Sequence, residues 1–152
     1  MISKDELLQG CDHQYPSDYT PEISSNLDSL LVPMNQVRTI YGKPMMVTSG
    51  WRPPSINAST PGAAKHSKHM VGLACDISDL DGSLWTWVLA RLDLMQSLGL
   101  YFEDKRWTPS WCHFQLGPPA SGKRIFVPSA DRAMAPNIWD GRYDPKYDGV
   151  TA

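Results

Sequence analysis

Long apolar runs are missing from this chain. No stretch reaches the ~18 residues that a membrane-spanning helix needs, so no membrane span is expected. The opening residues, MISKDELLQGCDH, contain no apolar core of the kind a secretory leader carries, so no export signal is expected. An excess of either charge is missing too. Lys plus Arg number 14 against 16 Asp plus Glu, for a net charge of −2. That argues against nucleic acid as a partner, because gripping a phosphate backbone calls for a basic face. Cysteines are few, odd in number and unrelated in spacing: Cys11, Cys75 and Cys112. They exclude a complete disulfide framework and point to folding in a reducing compartment.

What is present describes a folded protein. Hydrophobic residues make up 41% and charged residues 20%, a balance that excludes a disordered chain. A length of 152 residues fits one domain. A globular chain of this size buries roughly 68–70% of its unfolded surface, enough for a core without staples. Six Trp and 13 Pro suggest a loop-rich domain with an aromatic-lined surface.

The expected organisation is an N-terminal arm over 1–23, a domain over 24–127 and an extended C-terminal tail over 128–152. The arm is polar, with one short helical turn at Ser3–Gln9. From Ser24 the period becomes helical: Leu27, Leu30, Leu31, Met34, Val37 and Ile40 or Tyr41 fall on one face. Pro33 either starts or kinks this helix, and Gly42 ends it. PMMVTS (44–49) reads as a buried strand, and 50–68 as a long loop with three Pro and two Gly. VGLACDIS (71–78) reads as a second strand. A helix over Leu84–Leu98 follows, capped by Asp81 or Ser83 and stopped by Gly99. Leu100–Phe102, Trp111–Leu116 and Arg124–Val127 read as short strands. The tail has no period.

Only four histidines are available: His13, His66, His69 and His113. His69 and Asp76 lie seven apart around Gly72, and His113 follows far downstream in a predicted strand. Two imidazoles and a carboxylate suit zinc and leave a fourth position for water, which then becomes a nucleophile near neutral pH. A straight strand would point residues 69 and 76 to opposite faces. The chain must therefore bend between them, and Gly72 is the residue that allows it.

These residues sit in a longer pattern. Ser49-Gly50-Trp51-Arg52, Asn57, the run Ser67-x-His69-x-x-Gly72-x-Ala74-x-Asp76 and Trp111-x-His113-Phe114 occur in that order. Over about residues 24–117 the chain resembles the zinc D-alanyl-D-alanine peptidase family. That family includes bacterial D,D-carboxypeptidases, phage endolysin peptidases and hedgehog-like domains. The resemblance implies a small α+β fold: an antiparallel sheet with helices packed on one face, a zinc cleft and extended termini. By it, His69, Asp76 and His113 would hold zinc, Arg52 would meet a substrate carboxylate or peptide carbonyl, and Ser67 would hydrogen-bond the substrate. Many relatives carry Glu or Asp three residues before the last histidine. Here that position is Ser110, and a hydroxyl cannot act as base at neutral pH. Glu103 and Asp104 lie just upstream, and one of them is expected to be the base.

Plain readings stand beside these. Asp76 could cap a turn, Arg52 could form a surface ion pair, Ser67 could be a turn residue, and Glu103 and Asp104 could be a solvated edge. His13 and His66 read as surface residues, and Cys75 and Cys112 as small core hydrophobes. The leading expectation is a zinc peptidase of peptidoglycan stem peptides, of the D,D-carboxypeptidase or L-Ala-D-Glu endopeptidase type, serving as a phage lysin. Such a protein would be made in the host cytoplasm and act at the wall after release, or travel on the virion. The alternatives are a catalytically weak or inactive attachment protein of a phage particle, docked on phage structural proteins through its tail, and a soluble dipeptidase.

Overall fold

The computed structural model describes residues 1–120 and 122–127; the expected tail, 128–152, lies outside them. The fold is α+β. In chain order the elements are α1 (Lys4–Leu8), α2 (Cys11–Gln14), α3 (Pro21–Tyr41), β1 (Val47–Ser49), α4 (Pro54–Ser59), β2 (Ala74–Ser78), α5 (Ser83–Leu89), α6 (Leu92–Ser97), β3 (Leu100–Glu103), β4 (Trp111–Leu116) and β5 (Ile125–Phe126). Short 3-10 turns at Lys68–Val71 and Lys105–Trp107 precede β2 and β4. The strands form one sheet in the order β1-β2-β4-β3-β5.

The expected α+β class holds, but the sheet is mixed rather than antiparallel throughout. β1–β2 and β3–β4 are antiparallel, whereas β5 lies parallel to β3, with Phe102 opposite Ile125 and Glu103 opposite Phe126. The chain reverses after β3 and again after β4, so it returns in the direction of β3. None of the described helices is long and apolar enough to cross a membrane.

Two compact units divide the chain, Met1–Ile77 and a second that starts at Ser78. In the first, α3 buries Leu27, Leu30, Met34 and Val37, the face the periodicity marks. Thr20 caps it through a bond from the Ile23 amide, and Gly42 ends it in the left-handed conformation. Pro33 neither starts nor ends the helix. It sits inside and is buried, so packing outweighs the interior cost of proline, about 3 kcal/mol.

The N-terminal residues hold more than one turn. α1 is closed by a capping box between Ser3 and Glu6, and Leu7 and Leu8 are buried. Ile2 and Asn35 exchange two bonds, Ile2 N to Asn35 Oδ1 at 2.7 Å and Asn35 Nδ2 to the Ile2 carbonyl at 3.0 Å. Lys4 bonds Asp28 at 2.9 Å and Ser24 Oγ at 2.7 Å.

Two other expectations change. The loop over 50–68 contains α4, which begins on Pro54 at the first helical turn, where a missing N–H costs nothing. In the second unit, the helix expected over Leu84–Leu98 is two helices, broken at Ala90–Arg91. Arg91 leaves the helical region (φ −135°, ψ 37°) and stacks on the Trp87 ring at 4.6 Å. Of the two expected caps, Asp81 accepts from the Ser83 amide at 3.0 Å, the first of α5. Asp79 completes the cap from further back, accepting from the next two amides, Leu84 and Trp85, at 3.0 Å each. The same carboxylate receives Lys105 Nζ at 3.0 Å and Cys112 Sγ at 3.3 Å. Cys75 and Cys112 are buried, as expected. Desolvation, with Asp76 adjacent, pushes the Cys75 thiol far up.

Candidate metal centre

The three residues picked from the sequence converge. One donor atom from each of His69, Asp76 and His113 lies within 4.8 Å of the others, and all three residues are buried. The bend that joins the first two is the expected one. After the 3-10 turn Lys68–Val71, Gly72 adopts φ 79°, and its amide bonds back to the His69 carbonyl. A side chain there would be strained and would press on the Ile23 carbonyl oxygen at 3.0 Å.

The tautomer of His69 follows from its neighbour. Its Nδ1 lies 2.7 Å from the Gly50 carbonyl oxygen, which can only accept. Nδ1 therefore carries the proton in the neutral ring, and the lone pair is on Nε2, which faces Asp76 Oδ1 at 3.3 Å. The other carboxylate oxygen of Asp76, Oδ2, receives Arg52 Nη2 at 3.2 Å. Arg52 is held in turn, with Nε on Ser49 Oγ at 3.0 Å and its backbone N–H on the His69 carbonyl at 3.0 Å. A neutral imidazole lone pair and a carboxylate oxygen aimed at each other suit a cation, so the donor set could hold a metal ion.

Gly50 is the keystone of the His69 position. The Leu7 backbone lies where its side chain would be: an added Cβ would overlap the Leu7 carbonyl oxygen and come within 2.6 Å of its carbon. The neighbouring amide, Trp51 N–H, bonds that same Leu7 oxygen at 2.8 Å. Gly50→Ala must push α1 away or move the carbonyl that orients His69. We expect a stability loss of at least ~1–3 kcal/mol, measured by urea denaturation, together with weaker metal binding. A fully stable variant would contradict this packing.

The remaining sequence candidates separate. Ser67 Oγ accepts from the His69 amide at 3.2 Å and caps the 3-10 turn. Glu103 and Asp104 have different surroundings. The β3–β4 register pairs Tyr101 with Gln115 and Phe102 with Phe114; one step further it sets Glu103 across from His113. Glu103 Oε1 lies 3.9 Å from His113 Nδ1, and its side chain is 22% exposed. Asp104 faces the other way and is committed to Arg106, with bonds of 3.1 and 2.8 Å to the guanidinium and 3.0 Å from its backbone amide. Of the two acids offered as the base, Glu103 is therefore the one beside His113, because strand neighbours point to opposite faces. His13 and His66 are exposed.

Two residues escaped sequence reasoning. Gln115 Oε1 lies 2.9 Å from His113 Nε2. Asp79 anchors α5 just after β2. A period-of-two reading of the strand would have marked Gln115, two residues after a ligand candidate; nothing local marks Asp79.

Residues 1–107 match the family model described as peptidase M15. No curated protein and no solved structure shows a significant match to the chain. The matched stretch contains His69, Asp76, Glu103 and Asp104 but stops short of His113, which the folded geometry brings to the other two.

Proposed function

The chain belongs to the peptidase M15 family, and on that premise we propose that it is a zinc peptidase of peptidoglycan stem peptides, acting as a D,D-carboxypeptidase or an L-Ala-D-Glu endopeptidase. The observation that carries this reading is the convergence of His69, Asp76 and His113. These three would hold the metal. Zinc, when bound, supplies Lewis acidity for the scissile carbonyl and for the attacking water.

The chain's own groups do the rest. Glu103 takes the proton of the attacking water and returns it to the leaving amine. Arg52 spends Nη2 on Asp76 and Nε on Ser49, which leaves Nη1 to meet a substrate carboxylate or peptide carbonyl. The Ser67 hydroxyl accepts from the His69 amide and can still donate its proton to the peptide. The setting we propose, a phage lysin, rests on the sequence resemblance.

The test is incubation of the zinc-loaded protein with muropeptides, with products read by mass spectrometry. Release of D-alanine, or scission between L-Ala and D-Glu, is the expected result. A chelator should stop it and added zinc restore it, and His69→Ala should remove both stoichiometric zinc and turnover. Failure of a folded, zinc-bound protein to cleave any stem peptide would reject the peptidase reading. It would favour a structural role in a phage particle, the reading that Ser110, exposed and without a carboxylate, supports.

A further inference from the structure

We infer that Gln115 is a positioning residue that locks His113 in one tautomer and thereby selects Nδ1 as its metal-facing nitrogen. The side-chain amide of Gln115 lies between two partners. Its Nε2 donates to the Gly117 carbonyl at 3.0 Å, and its Oε1 lies 2.9 Å from His113 Nε2. A backbone carbonyl can only accept, so the amide NH₂ must face Gly117. The amide oxygen is then left for His113, and it too can only accept. His113 Nε2 must carry the proton, and the lone pair is on Nδ1.

The surroundings agree with that choice. Nδ1 is the nitrogen 3.9 Å from Glu103, the acid assigned to proton transfer. The His113 ring is buried and meets Phe126 edge-on, with centroids 6.1 Å apart and planes at 88°, which opposes a ring flip. His113 and Gln115 share a face of β4 because they are two residues apart on a strand. The two histidines of the centre therefore present opposite nitrogens: Nε2 of His69, set by the Gly50 carbonyl, and Nδ1 of His113, set by Gln115. A hydrogen-bond acceptor on the far nitrogen of a ligating histidine fixes its orientation and raises its basicity.

The zinc arm of the test rests on the proposed function; the tautomer arm does not. In metal-free, ¹⁵N-histidine-labelled protein in mildly alkaline solution, long-range ¹H–¹⁵N spectra should show His113 protonated at Nε2. Gln115→Leu should lose that fixed signature and weaken zinc about 10–100-fold in competition with a chromogenic chelator. Gln115→Glu, which keeps an acceptor oxygen, should restore the Nε2–H signature and bring zinc affinity back to within a few-fold of wild type. An Nδ1–H signature in the wild-type protein overturns the inference whatever the variants do. So does a folded Gln115→Leu protein with unchanged spectrum and unchanged zinc affinity. A wild-type protein with the Nε2–H signature but no zinc binding would instead strike the metal reading alone.

Discussion

Glu103→Ala should lower kcat on a stem peptide by ~10²–10⁴-fold while zinc remains bound. Glu103 Oε1 lies 3.9 Å from His113 Nδ1, and its side chain is 22% exposed, so it can meet both the buried donor cluster and an incoming water. Asp104 supplies the contrast. Its side chain is 1% exposed, bonds Arg106 at 2.8 Å and accepts the Arg106 amide that opens the 3-10 turn. Asp104→Ala should therefore lower stability and leave kcat per folded molecule nearly unchanged. Kinetics with zinc stoichiometry measured on the same samples separate the two. Full activity in Glu103→Ala, or a selective loss of kcat in a stable Asp104→Ala, would reverse the assignment.

The second large effect is on folding. Asp79→Ala should cost ~3–5 kcal/mol, because it removes one partner of a buried ion pair and leaves the Lys105 ammonium with only the carbonyls of residues 79 and 111. The Asp79 side chain is 1% exposed and Lys105 11%, with 3.0 Å between the charged groups. The same substitution strips the Leu84 and Trp85 amides of their acceptor at the start of α5. At ~2–4 °C per kcal/mol for a chain of this size, Tm should fall by roughly 6–20 °C. Asp79→Asn keeps an acceptor for an amide but loses the charge, so it should fall between wild type and Asp79→Ala. A Tm within a degree or two of wild type in Asp79→Ala would show that the pair and the cap contribute little.

Much of the scaffold was legible without coordinates because it is local. The apolar period of α3, its stop at Gly42, the span of β4 and the bend at Gly72 each depend on residues within a few positions of one another. The candidate donor set was legible for a different reason. The order Ser67-x-His69-x-x-Gly72-x-Ala74-x-Asp76, with Trp111-x-His113 downstream, resembles a family pattern, and the fold brings the three candidate donors together.

The sequence by itself carried the expectation of an α+β class through its family resemblance, the bend between His69 and Asp76, the three candidate donors and the two candidate acids. Tertiary structure alone decided which acid faces His113, because strand register is set by a partner strand and not by the segment itself. It alone placed the Leu7 backbone against Gly50, 43 positions along the chain, where no local period could report it. It also broke the helix at Ala90–Arg91, where no proline or glycine marks a stop. The resemblance implies Arg52 as a hand for substrate, and the fold adds a bond from its Nη2 to Asp76 at 3.2 Å. A side chain's type fixes which bonds it can make; only the packed chain decides which partner comes within reach.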